Sequence, residues 1–140
     1  MDAAKLSRLI LYTRDLTKTQ TFYSILGIQW LGGSGPEEIG HSGLPISVEK
    51  SKRWSRGGVI TGFPDLIGDL GHIEIGFILD KNFRPNSIEK SYVLQIDVGN
   101  PSGVADQLLT AGLFIDAAQL CRTPLVGVLD PDGRQIILSF

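Results

Sequence analysis

The chain has a single cysteine, Cys121, in 140 residues. A lone cysteine excludes an internal disulfide and a cysteine-based zinc cluster, and it fits a reducing, cytoplasmic setting. Long apolar runs are also missing. The longest stretch drawn only from apolar residues and Gly is five, as at residues 75–79. A membrane helix needs roughly 20, so no membrane partner is expected. The opening MDAAKLSRLI has no signal-peptide layout. Positive charge is not in surplus: 13 Lys and Arg stand against 15 Asp and Glu, a net charge of −2. That removes the basic field on which nucleic-acid binding rests, and no nucleic-acid partner is expected. What remains is an ordinary globular composition, 42% hydrophobic and 20% charged. The length suits one domain that buries its own core. With 17 glycines, many turns and hence many strands are expected.

Residues 6–13 are apolar and read as a strand. Asp15 can cap a helix, with Thr17-x-x-Gln20 as an alternative capping box. Leu16, Phe22, Tyr23 and Leu26 fall near one helical face, and Gly27 suits the left-handed stop. Residues 28–31 read as a short strand. Across 32–71, Gly, Ser and Pro break the pattern, leaving strand candidates at 44–49 and 59–63. Residues 72–79 form a clear strand, and 80–90 a polar linker. The pattern then restarts: a strand at 91–98, Asn100 as cap, Pro101 at the first helical position, and Gly112 as stop. Strand candidates follow at 117–121 and 125–129, then the Asp130-Pro131-Asp132-Gly133 turn and a last strand at 134–140.

The restart keeps a fixed register. A shift of 85 positions carries Arg8 to Val93, Asp15 to Asn100 and Gly27 to Gly112. This is an internal repeat of a β-α-β-β-β unit, with modules at 5–80 and 91–140 joined by a linker at 81–90. Strand parity separates two faces. Leu9 and Leu11; Ile73, Ile75 and Phe77; Leu94, Ile96 and Val98; Ile136, Leu138 and Phe140 should pack under the helices. Arg8, Ile10 and Tyr12; His72, Glu74, Gly76 and Ile78; Val93, Gln95 and Asp97; Gln135, Ile137 and Ser139 form the other, mixed face, which should line a cleft.

The chain resembles the vicinal oxygen chelate superfamily of glyoxalases, extradiol dioxygenases and bleomycin-resistance proteins. The resemblance rests on Leu11-Tyr12-Thr13-Arg14-Asp15-Leu16, on Phe22-Tyr23-x-x-Leu26-Gly27-Ile28, and on the run from Leu129 through the DPDG turn to Leu138. It implies an α+β fold in which two βαβββ modules form a curved mixed sheet around a cleft, helices outside. It also implies a homodimer, with the cleft formed within one chain or between two. Metal-dependent members hold a cation on the first and last strand of each module. Those positions fall here at Arg8, Glu74, Val93 and Ile137, and only Glu74 can ligate a divalent metal. No metal and no cofactor are therefore expected.

The residues themselves offer candidates for holding a small-molecule ligand. Arg8 and Glu74 can meet as an ion pair that anchors a polar ligand or fills the vacated metal position. Tyr12, Gln95, Asp97 and Gln135 supply hydrogen-bonding groups among apolar walls. Trp54, between Arg53 and Arg56, can stack on a planar ligand or belong to a solvated loop. His72 and Glu74 share a face, but a third ligand is not evident: Asp97 is one option and His41 another. Gly32-Gly33-x-Gly35 lacks the basic residue and helix start of a phosphate cradle. The expected function is metal-independent binding or sequestration of a small molecule, in the manner of the bleomycin-resistance branch. The resemblance leaves open a lyase, isomerase or dioxygenase with an altered metal site, and a regulatory or interaction module.

Overall fold

A computed structural model describes residues 4, 6, 8–32, 64–71, 73–84, 93–117 and 125–140. The strand candidates at 44–49 and 59–63, Trp54, His41, His72, the glycine loop at 33–35 and Cys121 lie outside the described residues. Strand β1 (Arg8–Thr13) leads into helix α1 (Leu16–Leu26), followed by β2 (Gln29–Gly32), β3 (Leu66–Asp69) and β4 (Glu74–Leu79). These strands form one sheet in the order β1-β4-β3-β2, with β1 parallel to β4. Strand β5 (Leu94–Asp97), helix α2 (Pro101–Thr110), β6 (Val126–Leu129) and β7 (Gln135–Ser139) follow. They form a second sheet, β5-β7-β6, with β5 parallel to β7. An antiparallel bridge between Asp116 and Val128 stands where a fourth strand would run. Pairing there begins by 115–117, where Ala117 donates to Gly127 O and Leu129 to Ile115 O, and the rest of the strand expected at 117–121 lies outside the described residues. The fold is α+β, with strand, helix and strands recurring in the same order.

The repeat holds bond by bond. Asp15 caps α1 by accepting the Lys18 amide at 3.0 Å, and Asn100 caps α2 by accepting the Gly103 amide at 3.1 Å. At the other ends, Ile28 donates to Tyr23 O and Leu113 to Leu108 O. Gly27 at φ 100° and Gly112 at φ 71° take the left-handed conformation that lets the chain turn there. Each pair is separated by the same 85 positions.

Strand β3 lies inside the stretch of broken pattern, beyond the strand candidates at 44–49 and 59–63. Its Gly68 explains part of the concealment: a Cβ there would sit 2.5 Å from Ile28 Cδ1 and 3.3 Å from the Trp30 ring. The glycine breaks the apolar pattern because a side chain has no room.

One apolar core joins both modules. Leu11, Phe22, Tyr23, Leu26, Ile75 and Phe77 from the first pack in a single cluster with Val104, Leu108, Val128, Ile136 and Leu138 from the second. This is the face that parity assigned to the helices. Leu9 and Ile96 are partly buried against it. Phe140 does not join: it is 70% exposed, because β7 ends at Ser139 and no neighbouring strand carries it under α2. Phe83 is the reverse case. It was expected in a polar linker, yet it is buried against Tyr12, ring centroids 5.9 Å apart.

Truncating Leu138 to Ala should cost ~2–5 kcal/mol, since it removes a fully buried side chain. Phe140→Ala should stay within about 0.5 kcal/mol. Chemical denaturation of the two variants measures the contrast, and similar losses would contradict this core.

Candidate functional site

Two crevices lie where the hairpin turn of one module approaches the other module, and they differ in how they are filled. The first is closed by the turn between β6 and β7. Asp130 accepts the Tyr23 hydroxyl at 2.8 Å and pairs with Arg134 Nη1 at 3.0 Å. Asp130 also accepts the amides of Asp132 and Arg134, both at 2.9 Å. Arg134 Nη2 donates to the Tyr12 carbonyl, and its guanidinium lies 5.2 Å from the Phe83 ring centre. Asp132 accepts from the Arg14 amide at 2.9 Å and from Arg14 Nε at 3.3 Å. Tyr23, Asp130, Asp132 and Arg134 are all buried. Burial and the Asp130 carboxylate raise the Tyr23 pKa well above that of free tyrosine, with Arg134 opposing them. Burial would push the Arg134 pKa down, but Asp130, Tyr23 and Asp132 more than offset it and leave it raised.

The equivalent turn in the first module joins β3 to β4. The pairing registers set the correspondence. Arg8 stands opposite Glu74 and Asp69 opposite Glu74; Leu94 stands opposite Ile136 and Leu129 opposite Gln135. With Arg8 equivalent to Val93, Glu74 matches Gln135, Asp69 matches Leu129, Leu70 matches Asp130 and Ile73 matches Arg134. The turns close alike: Leu70 donates to Ile73 O at 3.0 Å, as Asp130 donates to Arg134 O at 2.9 Å. Among the described residues none of the charged groups recurs, and the crevice remains open. It forms a pocket of about 670 Å³ lined by Leu26, Gly27 and Gln29, by residues of the 69–73 turn, and by Gln95, Ile96 and Asp97.

The candidate residues distribute unevenly around this pocket. Gln95 and Asp97 line it, and Asp97 accepts the Ser139 hydroxyl. Arg8 and Glu74 are direct partners across β1 and β4. They continue a row that runs through Asp69 to Gln29, two pocket residues. Cross-strand partners share a face, so all four point away from the helices. Glu74 is only 8% exposed, and it, Arg8 and Asp69 all have polar or electrostatic partners. Tyr12 lies four residues further along β1, about 13 Å at ~3.3 Å per residue, beside Phe83 rather than the pocket. Gln135 is half-buried at the start of β7 and is not a pocket residue. Sequence reasoning missed Gln29 and Asp69. Asp69 sits in the stretch of broken pattern, and only strand pairing reveals that Gln29 aligns with it.

The registers also correct one metal position. Glu74 matches Gln135, not Ile137, whose partner is Gln95. The four positions are therefore Arg8, Glu74, Val93 and Gln135. Two of them, Arg8 and Val93, have no lone pair to give. A metal centre takes three or four donors. Among the described residues no three His, Cys, Asp or Glu side chains gather. This set does not fit a metal ion.

Two outcomes follow from this geometry. A folded Tyr23 keeps its proton where an unfolded tyrosine, with a pKa near 10, releases it. Above roughly pH 10 the unfolded state therefore binds fewer protons, so stability is full below that pH and falls as pH rises through it. Urea denaturation at a series of pH values should show this fall in the native protein and a shallower one in Tyr23→Phe; parallel profiles would refute it. Elemental analysis of protein purified without chelator or affinity tag should find no stoichiometric divalent metal. About one Zn, Ni, Fe or Mn per chain would overturn the reading of Arg8 and Val93.

No protein-family model matches the chain, and no curated protein matches it either. Solved structures do. A glyoxalase/dioxygenase from Nostoc punctiforme is 14% identical over 96% of this chain and 88% of its own, with a TM-score of 0.58. A possible glyoxalase from Bacillus cereus is 12% identical over 99% of this chain and 100% of its own, at 0.59. An integron cassette protein from the mobile metagenome of V. cholerae is 18% identical over 99% and 95%, at 0.56. No helix among the described residues is long and apolar enough to cross a membrane. The chain thus has the fold of glyoxalase/dioxygenase proteins, the one that its opening strand and helix and its DPDG turn imply.

Proposed function

We propose that the protein binds a small organic molecule, without a metal, in the pocket between its two modules. The observation that carries this reading is the pocket itself. Its volume of about 670 Å³ falls within the 300–1,000 Å³ common for ligand sites. Leu26, Leu70, Ile73 and Ile96 supply apolar walls, and Gln29, Asp69, Gln95 and Asp97 supply a few converging polar groups. Arg8 and Glu74 extend the polar row beyond Asp69. The mechanism is sequestration: ligand surface leaves water against the walls, while the polar groups fix orientation. Regular strands hold Gln29, Asp69, Gln95 and Asp97, so the site exists before the ligand arrives.

Ligand-observed NMR with a fragment library tests the reading. Fragments should bind the native protein, and Ile73→Trp, which fills the pocket from its half-buried wall, should abolish most of that binding while leaving the fold intact by circular dichroism. Binding that survives the substitution would place the ligand elsewhere.

A further inference from the structure

We infer that Asp132–Gly133 is a covalent modification site, at which aspartate converts to isoaspartate through a cyclic imide, and that Arg14 holds the reaction back in the folded chain. The sequence singles out this step. Ring closure joins the next residue's backbone nitrogen to the aspartate Cγ, so it needs an amide N–H and room to approach. Among the aspartates and asparagines of the chain, only Asp132 precedes glycine, which has no Cβ to obstruct that approach. Asp130 precedes Pro131, which has no N–H to give up. The reaction needs no reagent but water. The Gly133 nitrogen bonds to Asp132 Cγ, and the carboxyl hydroxyl leaves as water with the amide proton. Water then reopens the ring. Cleavage at Cγ restores aspartate, and cleavage at the α-carbonyl carbon leaves isoaspartate.

The folded turn occupies both reacting groups. The Gly133 amide donates to the Asp130 carbonyl at 2.9 Å. Asp132 Oδ1 accepts the Arg14 amide at 2.9 Å and Arg14 Nε at 3.3 Å, and Oδ2 lies 3.4 Å from Arg134 Nη1. The carboxyl cannot swing onto the Gly133 nitrogen without breaking these bonds. The two guanidinium groups differ in how readily they let go. The Arg134 side chain is 2% exposed, whereas that of Arg14 is 35% exposed. Arg14 can therefore exchange its bonds for water, and buried Arg134 cannot do so without stranding its charge. Arg14 Nη2 also donates to the Pro131 carbonyl at 3.1 Å, so one side chain clasps the turn at two points. Isoaspartate carries its backbone through Cβ and Cγ, which adds one bond to the β6–β7 turn. The closing bond from Gly133 to Asp130 and the reach of Arg134 to the Tyr12 carbonyl both depend on the present length. Modification therefore loosens the junction between the two modules.

Timed incubation of the folded protein at neutral pH, followed by peptide mapping with electron-transfer fragmentation, measures isoaspartate at Asp132. A synthetic peptide of residues 127–137 gives the unrestrained rate. The native protein should convert at least tenfold more slowly than the peptide. Arg14→Ala should convert about three- to tenfold faster than the native protein while remaining folded by circular dichroism. Should that variant not fold, Arg14→Gln, which keeps more of the side chain, carries the same expectation. Tyr23→Phe removes a bond to Asp130 and none to Asp132, so it should change the rate less than twofold. The isoaspartate form, separated by ion exchange, should unfold at lower urea than the unmodified protein. Conversion of the native protein at the peptide's rate, or first at another residue, overturns the site. Equal acceleration in the Arg14 and Tyr23 variants, or none in either, overturns the role of Arg14. An isoaspartate form as stable as the native protein overturns the loosening of the junction.

Discussion

The buried ion pair between Arg134 and Asp130 governs how the two halves of this chain meet. Both groups are removed from water, which costs several kcal/mol per ion before any attraction is counted. Their geometry offsets that cost. Asp130 receives the Tyr23 hydroxyl, two turn amides and a guanidinium nitrogen. Asp132 takes up Arg14, which carries the network from the second module back to the start of α1. Net stability is not the main product, since a well-packed apolar replacement often does as well. What the network supplies is connection: it ties the turn to Tyr12, Arg14 and Tyr23 of the first module. One of these, Tyr23, belongs to the core shared by both sheets.

The repeat shows which parts of a module resist change. Helix starts and stops are the same in both copies, down to the capping oxygens and the left-handed glycines. Those bonds satisfy backbone groups that would otherwise be stranded at helix ends, so each copy needs them regardless of function. The hairpin turns carry no such obligation beyond their closing bond. One carries Asp130, Asp132 and Arg134 and fills its crevice, and the other is one residue shorter, with Leu70 and Ile73 at the places of Asp130 and Arg134. Divergence at a single pair of turns is enough to convert one junction into a lock and the other into a cavity.

Sequence legibility follows the range of the interaction. Asp15, Gly27, Asn100 and Gly112 were readable as caps and stops because their bonds span only a few residues. The core face was readable because parity is local to a strand. The bond from Tyr23 to Asp130 spans 107 residues, and nothing in either neighbourhood announces it. Strand β3 was hidden because Gly68 removes an apolar residue from a four-residue pattern where Ile28 and Trp30 approach. The match of Glu74 to Gln135 lies two positions from Ile137, where the sequence pattern puts it. Parity alone cannot detect a shift of two, because it returns every side chain to the same face. Phe140 continues the apolar alternation, but sheet pairing stops one residue before it.

Arg8 gives the site its direction. At the strand starts this chain places a permanent guanidinium opposite Glu74. The positive charge that a metal would supply is thus covalently built in, and it cannot be exchanged for substrate oxygens. Carboxylates continue outward along the row, at Asp69, and stand across from it at Asp97 on the other module. Both line the crevice that the lock leaves unfilled. The strand starts and the open junction are thus two different places in this chain: the first is occupied by a fixed guanidinium, and the second is the space that the other turn fills with Arg134.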